Sequence, residues 1–149
     1  MDAGVYQIVT DSVSTVLRTT TTVTSGTVTT GSNVNIQSTV DNTDPAWPAI
    51  DILLSGGIES HTDGATVDIY IRYLDVFGAG SSEPVPVSGQ ELGLIKTFGV
   101  ASARDFLGVA CGIPITEGKF ELYFVPRGVT FKSASKIKIR RSSGAPKNA

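Results

Sequence analysis

Residues 64–74 read Gly64-Ala65-Thr66-Val67-Asp68-Ile69-Tyr70-Ile71-Arg72-Tyr73-Leu74, and their alternation decides the fold class. Val67, Ile69, Ile71 and Tyr73 fall on one face; Thr66, Asp68, Tyr70 and Arg72 fall on the other. Period two built from β-branched and aromatic residues predicts a strand with one buried face. Asp63-Gly64 reads as the turn that opens it. So long an apolar face needs a second sheet to cover it. The stretch is therefore expected to be the central strand of a β-sandwich.

The same pattern recurs on either side. Asn33 to Val40 alternates, Ala49 to Leu54 is a short apolar run, and Leu92 to Ala101 is interrupted by Gly93 and Gly99. In Lys119 to Val125 the residues Phe120, Leu122 and Phe124 share a face. In Lys136 to Arg140, Ile137 and Ile139 are expected inward, and Lys136, Lys138 and Arg140 outward. Turn clusters separate these runs: Asp41-Asn42-Thr43-Asp44-Pro45, Ser55-Gly56-Gly57, Phe77 to Ser82, Glu117-Gly118 and Pro126-Arg127-Gly128. Ala103 to Cys111 is read as a helical turn that becomes extended. Turns recurring every ten residues or so predict an all-β, single-domain, jelly-roll-like sandwich of about eight strands.

Thr19 to Thr30 is Thr-rich and nearly uncharged. Thr favours extended backbone over helix. Residues 1–32 are read as an extended N-terminal arm, residues 33–141 as the sandwich and residues 142–149 as a polar C-terminal tail. An ordinary edge hairpin of the same domain is the other reading of the Thr-rich stretch. If the arm stands apart, removing residues 1–32 should leave the sandwich folded.

Composition narrows the function classes. A chain of 149 residues can bury a core without staples. Only 17% of residues are charged, and the net charge is −2. That balance predicts no overall attraction to nucleic acid or to an anionic membrane. Cys111 is the single cysteine, so no intrachain disulfide forms. It lies in an apolar run and is expected to be buried. The N-terminus lacks the basic start and apolar core of a secretory signal, and no apolar run is long enough to span a bilayer. Synthesis in a host cytoplasm is the expectation.

Catalytic patterns are sparse. His61 is the one histidine, and no Gly-x-Ser-x-Gly marks a nucleophile. One His and one Cys do not make a zinc site without several carboxylates. Asp41, Asp44, Asp51, Glu59, Asp63, Asp68 and Asp75 crowd one third of the chain, but each reads more simply as a turn former or a solvent-facing strand residue. Asp41 to Asp44 offers hard oxygens without the EF-hand pattern. Gly78-Ala79-Gly80 lacks the Lys and helix of a phosphate loop. No cofactor is expected.

The basic residues cluster late. Lys132, Lys136, Lys138, Arg140, Arg141 and Lys147 lie where no acid occurs. They read as protection of an edge strand or as a docking surface for an acidic protein. Nucleic acid ranks behind both, because no aromatic residue follows Phe131 to stack on bases. Trp47, bracketed by Pro45 and Pro48, reads as a core plug, with a sugar-binding platform alongside Tyr70 and Tyr73 as the alternative.

Three runs carry a resemblance: Asp41 to Leu54, Asp63 to Ile71, and Ile113-Pro114-Ile115 ahead of Lys119-Phe120-Glu121-Leu122-Tyr123. Together, over roughly residues 34 to 140, they resemble small structural proteins of tailed bacteriophages, of the capsid decoration or cement type. Where that family has Asn followed by Thr-Gly after its Lys-Phe strand, this chain has Val125-Pro126-Arg127-Gly128. The resemblance implies a non-enzymatic virion protein on the outer capsid surface. It also implies a homo-oligomer, most often a trimer, whose partner is the major capsid protein. Thr19, Thr20, Thr21, Thr22, Val23 and Thr24 with Lys136, Lys138, Arg140 and Arg141 are the expected partner-binding residues. The alternative is a tail- or fibre-associated module that recognises a host glycan through Trp47 and the Phe77 to Ser82 loop.

Overall fold

The computed structural model describes residues 6–7, 9–102, 104–143 and 147–148. Eleven strands form among them: β1 (Tyr6–Gln7), β2 (Ser14–Thr19), β3 (Val34–Gln37), β4 (Val40–Asn42), β5 (Ala49–Gly56), β6 (Ile58–Leu74), β7 (Leu94–Gly99), β8 (Phe106–Pro114), β9 (Gly118–Phe131), β10 (Lys136–Ser142) and β11 (Lys147–Asn148). A five-stranded sheet runs β3-β2-β10-β5-β8, and a four-stranded sheet runs β4-β9-β6-β7. A small ribbon joins β1 to β11. Within the sheets all strand neighbours are antiparallel. The chain is a single-domain β-sandwich. The expected helical turn before β8 does not form among the described residues; β8 is extended from Phe106.

β6 is an interior strand, as its alternation predicts, and Val67, Ile69 and Ile71 enter the core between the sheets. It is longer than expected. Ile58 to His61 already pairs with β9, and the register slips between His61 and Thr66. Asp63-Gly64 is thus a bulge within one strand, with Gly64 at φ +76°. The core is aromatic where the sheets meet. The Phe98 ring meets Phe106 at 5.9 Å, Phe106 meets Phe131 at 5.8 Å, and Phe131 meets Phe124 at 5.3 Å. The first three of these residues lie on β7, β8 and β9, so the rings stitch the open side of the sandwich.

The Thr-rich stretch is extended, but it lies on its own domain. β2 sits between β3 and β10 and buries Val16 and Leu17. Beyond Thr19 the chain runs along the free edge of β9. Val23 and Phe131 exchange backbone bonds, and the Gly26 amide donates to Pro126 O. Ser25 Oγ accepts from the Gly128 amide, and Gln37 Nε2 donates to Leu122 O. With β4 at the other end, this edge is met along its length by hydroxyls, an amide side chain and irregular backbone. An exposed edge is a template for unwanted pairing, and short hydroxyl side chains can supply the missing acceptors locally. The boundary at residue 32 therefore does not separate an arm from a sandwich. Removing residues 1–32 takes away Val16, Leu17, Val23 and Val28 from buried positions, and the remainder is not expected to hold its fold. The boundary at 142 is crossed in the same way: Ser142 ends β10, and the Ser143 amide donates to Val9 O.

Candidate functional site

The residues expected to bind a partner divide into four groups, the last of them Arg141 alone. Thr19 and Val23 are buried, and the Thr19 hydroxyl accepts from the Ser135 amide. These two are structural. Thr20, Thr21, Thr22 and Thr24 are exposed. Lys136, Lys138 and Arg140 form a row on the outer face of the five-stranded sheet, while Ile137 and Ile139 point into the core.

That row is not on an edge. β10 pairs with β2 on one side and β5 on the other, so edge protection is overturned as its purpose. Arg140 Nε donates to Asp51 Oδ2 at 2.7 Å, and Asp51 Oδ1 accepts from the Gly112 amide at 2.9 Å. The hydrogen bond to Asp51 pushes the Arg140 pKa up, so its charge is fixed. Arg141 faces the other way, at the end of the sheet. Its Nε and Nη2 donate to Asp11 Oδ2 and its Nη1 to Asp41 O, which clamps the N-terminal segment. Lys136 and Lys138 have no ion pair among the described residues, and theirs are the charges of the row left unpaired.

Beside this row lies an apolar groove of about 250 Å³, open to solvent. Leu53 is half-buried within it, and Val13 and Val109 are more than half exposed in its lining. Cys111 also lines the groove and is exposed, contrary to expectation. The reason is geometric. β8 is an edge strand whose inward side carries Gly108 and Ala110, while Leu107, Val109 and Cys111 alternate outward. Leu107 is 65% exposed.

A second exposed apolar region follows β6. Asp75 Oδ1 accepts from the Gly80 amide, and Ser81 Oγ accepts from the Phe77 amide and donates to Gly78 O. These bonds brace a tight loop and leave the Phe77 ring 94% exposed at its tip. Val76, Val85, Val87 and Leu92 are exposed along the same connection.

The outer face of β6 is more covered than its polar residues suggest. Tyr70 and Asp68 are buried, and Val28 of the Thr-rich stretch packs with Tyr70, Tyr123 and Val125. Arg127 Nε donates to Asp68 Oδ2 at 3.0 Å, Arg127 Nη2 donates to the Tyr70 hydroxyl, and Thr97 Oγ1 donates to Asp68 Oδ1. Those bonds raise the Arg127 pKa, and burial raises that of Tyr70. Arg72 and the Tyr123 hydroxyl both donate to Glu121 Oε1. The carboxylates are thus spent on local cations. Among the described residues no group of three or more His, Cys, Asp or Glu gathers as metal ligands. Asn42, within the run considered for calcium, is buried and turned inward. Its Nδ2 donates to Trp47 O and Thr116 O, and its Oδ1 accepts from the Trp47 amide. Trp47 is half-buried.

Among the described residues no helix is long and apolar enough to cross a membrane. Comparison with family models, with curated proteins and with solved structures finds no match to this chain.

Proposed function

We propose that the protein is a non-enzymatic structural protein of a bacteriophage virion, held on the outer capsid surface, where it bridges capsomers and stabilises the shell. The observation that carries this reading is the distribution of exposed apolar side chains. They gather on two built surfaces, the groove beside Lys136 and Lys138 and the braced loop at Phe77, rather than scattering singly. Concentrated apolar surface rimmed by charge marks a protein contact. The resemblance to decoration proteins supports the same reading and implies two kinds of partner, the major capsid protein and further copies of this chain. A weak contact repeated over a lattice stabilises through multivalency.

The test is to mix the protein with expanded capsids that lack it, pellet the particles and count bound copies. Saturable binding at a lattice stoichiometry, with a rise in capsid heat resistance, is the expected result. Absence of binding at saturating protein overturns the reading.

One observation favours the glycan-binding alternative. Asn42 pairs with Gly118 and Leu74 with Lys119, so the turn carrying Trp47 and the loop carrying Phe77 leave from the same end of the sandwich. A glycan array read with wild type and Trp47→Ala distinguishes the two.

A further inference from the structure

The two exposed apolar surfaces are complementary to each other. From Tyr73 to Ile95 the chain carries Asp75, Glu83 and Glu91 and no Lys or Arg. Glu91 is met by Arg127 at 3.5 Å, which leaves Asp75 and Glu83 as the acids that flank the Phe77 loop without a cationic partner among the described residues. The groove has the opposite balance: apolar walls from Val13, Leu53 and Val109, with Lys138 along one side, Lys136 next in the row, and Arg140 paired with Asp51, the one acid of the lining. The Phe77 ring is 94% exposed, so it does not occupy the groove of its own chain.

We infer that the Phe77 loop of one copy seats in the groove of a second copy. The ring covers Leu53 and Val109, and Asp75 and Glu83 approach Lys136 and Lys138. An aromatic anchor in an apolar pocket ringed by complementary charge is the arrangement that concentrates binding energy. The loop arrives already braced by Asp75 and Ser81, so little ordering is needed on association. The contact joins two different surfaces and is therefore heterologous, so each copy can give one loop and receive one. The inference deepens the structural reading above by naming an occupant for the groove. It rests on that reading only in taking both apolar surfaces as assembly contacts.

The lone cysteine makes the test direct, because Cys111 lines the groove. The Ala79→Cys protein, which keeps the Phe77 ring and places a thiol on the same exposed loop, is oxidised with copper–phenanthroline and mapped by peptide mass spectrometry. The expected product is a ladder of linked chains, joined between the introduced thiol of one copy and Cys111 of the next. Adding Cys111→Ser should abolish the ladder. Dimers joined only through Cys111 to Cys111, or only through two introduced thiols, would overturn the inference. In parallel, sedimentation of the wild type should show mass above 15.6 kDa. Phe77→Asp and Lys138→Glu should each weaken association at least tenfold with unchanged circular dichroism. A wild type that stays monomeric up to millimolar concentration overturns the inference as well. No capsids are present, so failure here is separate from failure to bind a shell.

Discussion

Thr29 and Phe124 exchange two hydrogen bonds across 95 residues of chain: the Thr29 amide donates to Phe124 O at 3.2 Å, and the Phe124 amide donates to Thr29 Oγ1 at 2.8 Å. The threonine acts as a one-residue strand at the edge of β9. Both residues are fully buried, so no water can replace the hydroxyl. Thr29→Val keeps the shape and removes the acceptor. It should cost about 1–3 kcal/mol, the penalty for an orphaned buried amide. Thr29→Ser keeps the oxygen and should cost less. Urea unfolding midpoints of the three proteins check the order.

Asp11 and Arg141 set an acid limit on the clamp at the N-terminal segment. The Arg141 guanidinium, with the Ser12 amide, holds the Asp11 carboxyl below its ordinary value of 3.8. A depressed folded-state pKa contributes stability that is present above the unfolded value and lost as pH falls through the folded one. The pair is partly exposed, Asp11 at 32% and Arg141 at 22%, so screening limits it to about 0.5–1 kcal/mol. Asp11→Asn should therefore be less stable than wild type at neutral pH. The difference should close as pH drops below the Asp11 value. Denaturant unfolding of both proteins from neutral to strongly acidic pH measures it.

The fold class is legible because residues 66–73 of β6 and residues 119–124 of β9 place an apolar side chain at every second position, and a period-two apolar face has one common solution. Positions within the sheets were not legible. β10 reads like an edge strand because Lys136, Lys138 and Arg140 alternate with isoleucines, yet it pairs on both sides. Strand order depends on contacts distant in sequence, and charge on an outer face looks the same at an edge or at the centre. Cys111 failed for a related reason. An apolar run suggests burial on both faces, whereas β8 buries only the side of Gly108 and Ala110. The Thr-rich stretch is extended, as its composition predicts. Its destination was hidden because its partners lie near residues 122–131 and are met by hydroxyls rather than by a ladder.

Tyr123 sets the alkaline limit. Burial, then the hydrogen bond to Glu121, pushes its hydroxyl up to about 12 from an ordinary 10.0. A raised folded-state pKa contributes stability that is fully present below the unfolded value and lost as pH rises through the folded one. Stability should therefore fall as pH rises from 10 to about 12. Tyr123→Phe should flatten that fall and remove one late-ionising tyrosine, leaving Tyr70, whose hydroxyl pKa is also raised by burial. Absorbance at the phenolate band, followed through the titration, separates it from the others. An unchanged late-titrating component in Tyr123→Phe would refute the assignment.

Two backbone positions should respond in opposite directions to exchanging glycine and alanine. Gly93 has φ +82°, and its carbonyl accepts from the Ile71 amide at 2.9 Å, extending the β6–β7 pairing. A Cβ there would lie 2.3 Å from Ile71 O, a backbone atom that cannot move without breaking the sheet. Gly93→Ala should cost about 2 kcal/mol or more, from strain at positive φ added to that clash. Ala134 is the reverse case. It is exposed in the turn before β10 with φ +63°, where its amide donates to Thr19 O. Left-handed backbone costs an alanine roughly 1–2 kcal/mol, and glycine is free of that cost. Glycine's larger unfolded-state entropy takes back about 0.4–1 kcal/mol. Ala134→Gly should thus stabilise by about 0.5 kcal/mol. Thermal unfolding of the two variants beside wild type should place Gly93→Ala below it and Ala134→Gly above it. A destabilised Ala134→Gly would mean that the turn does not hold Ala134 at positive φ in solution.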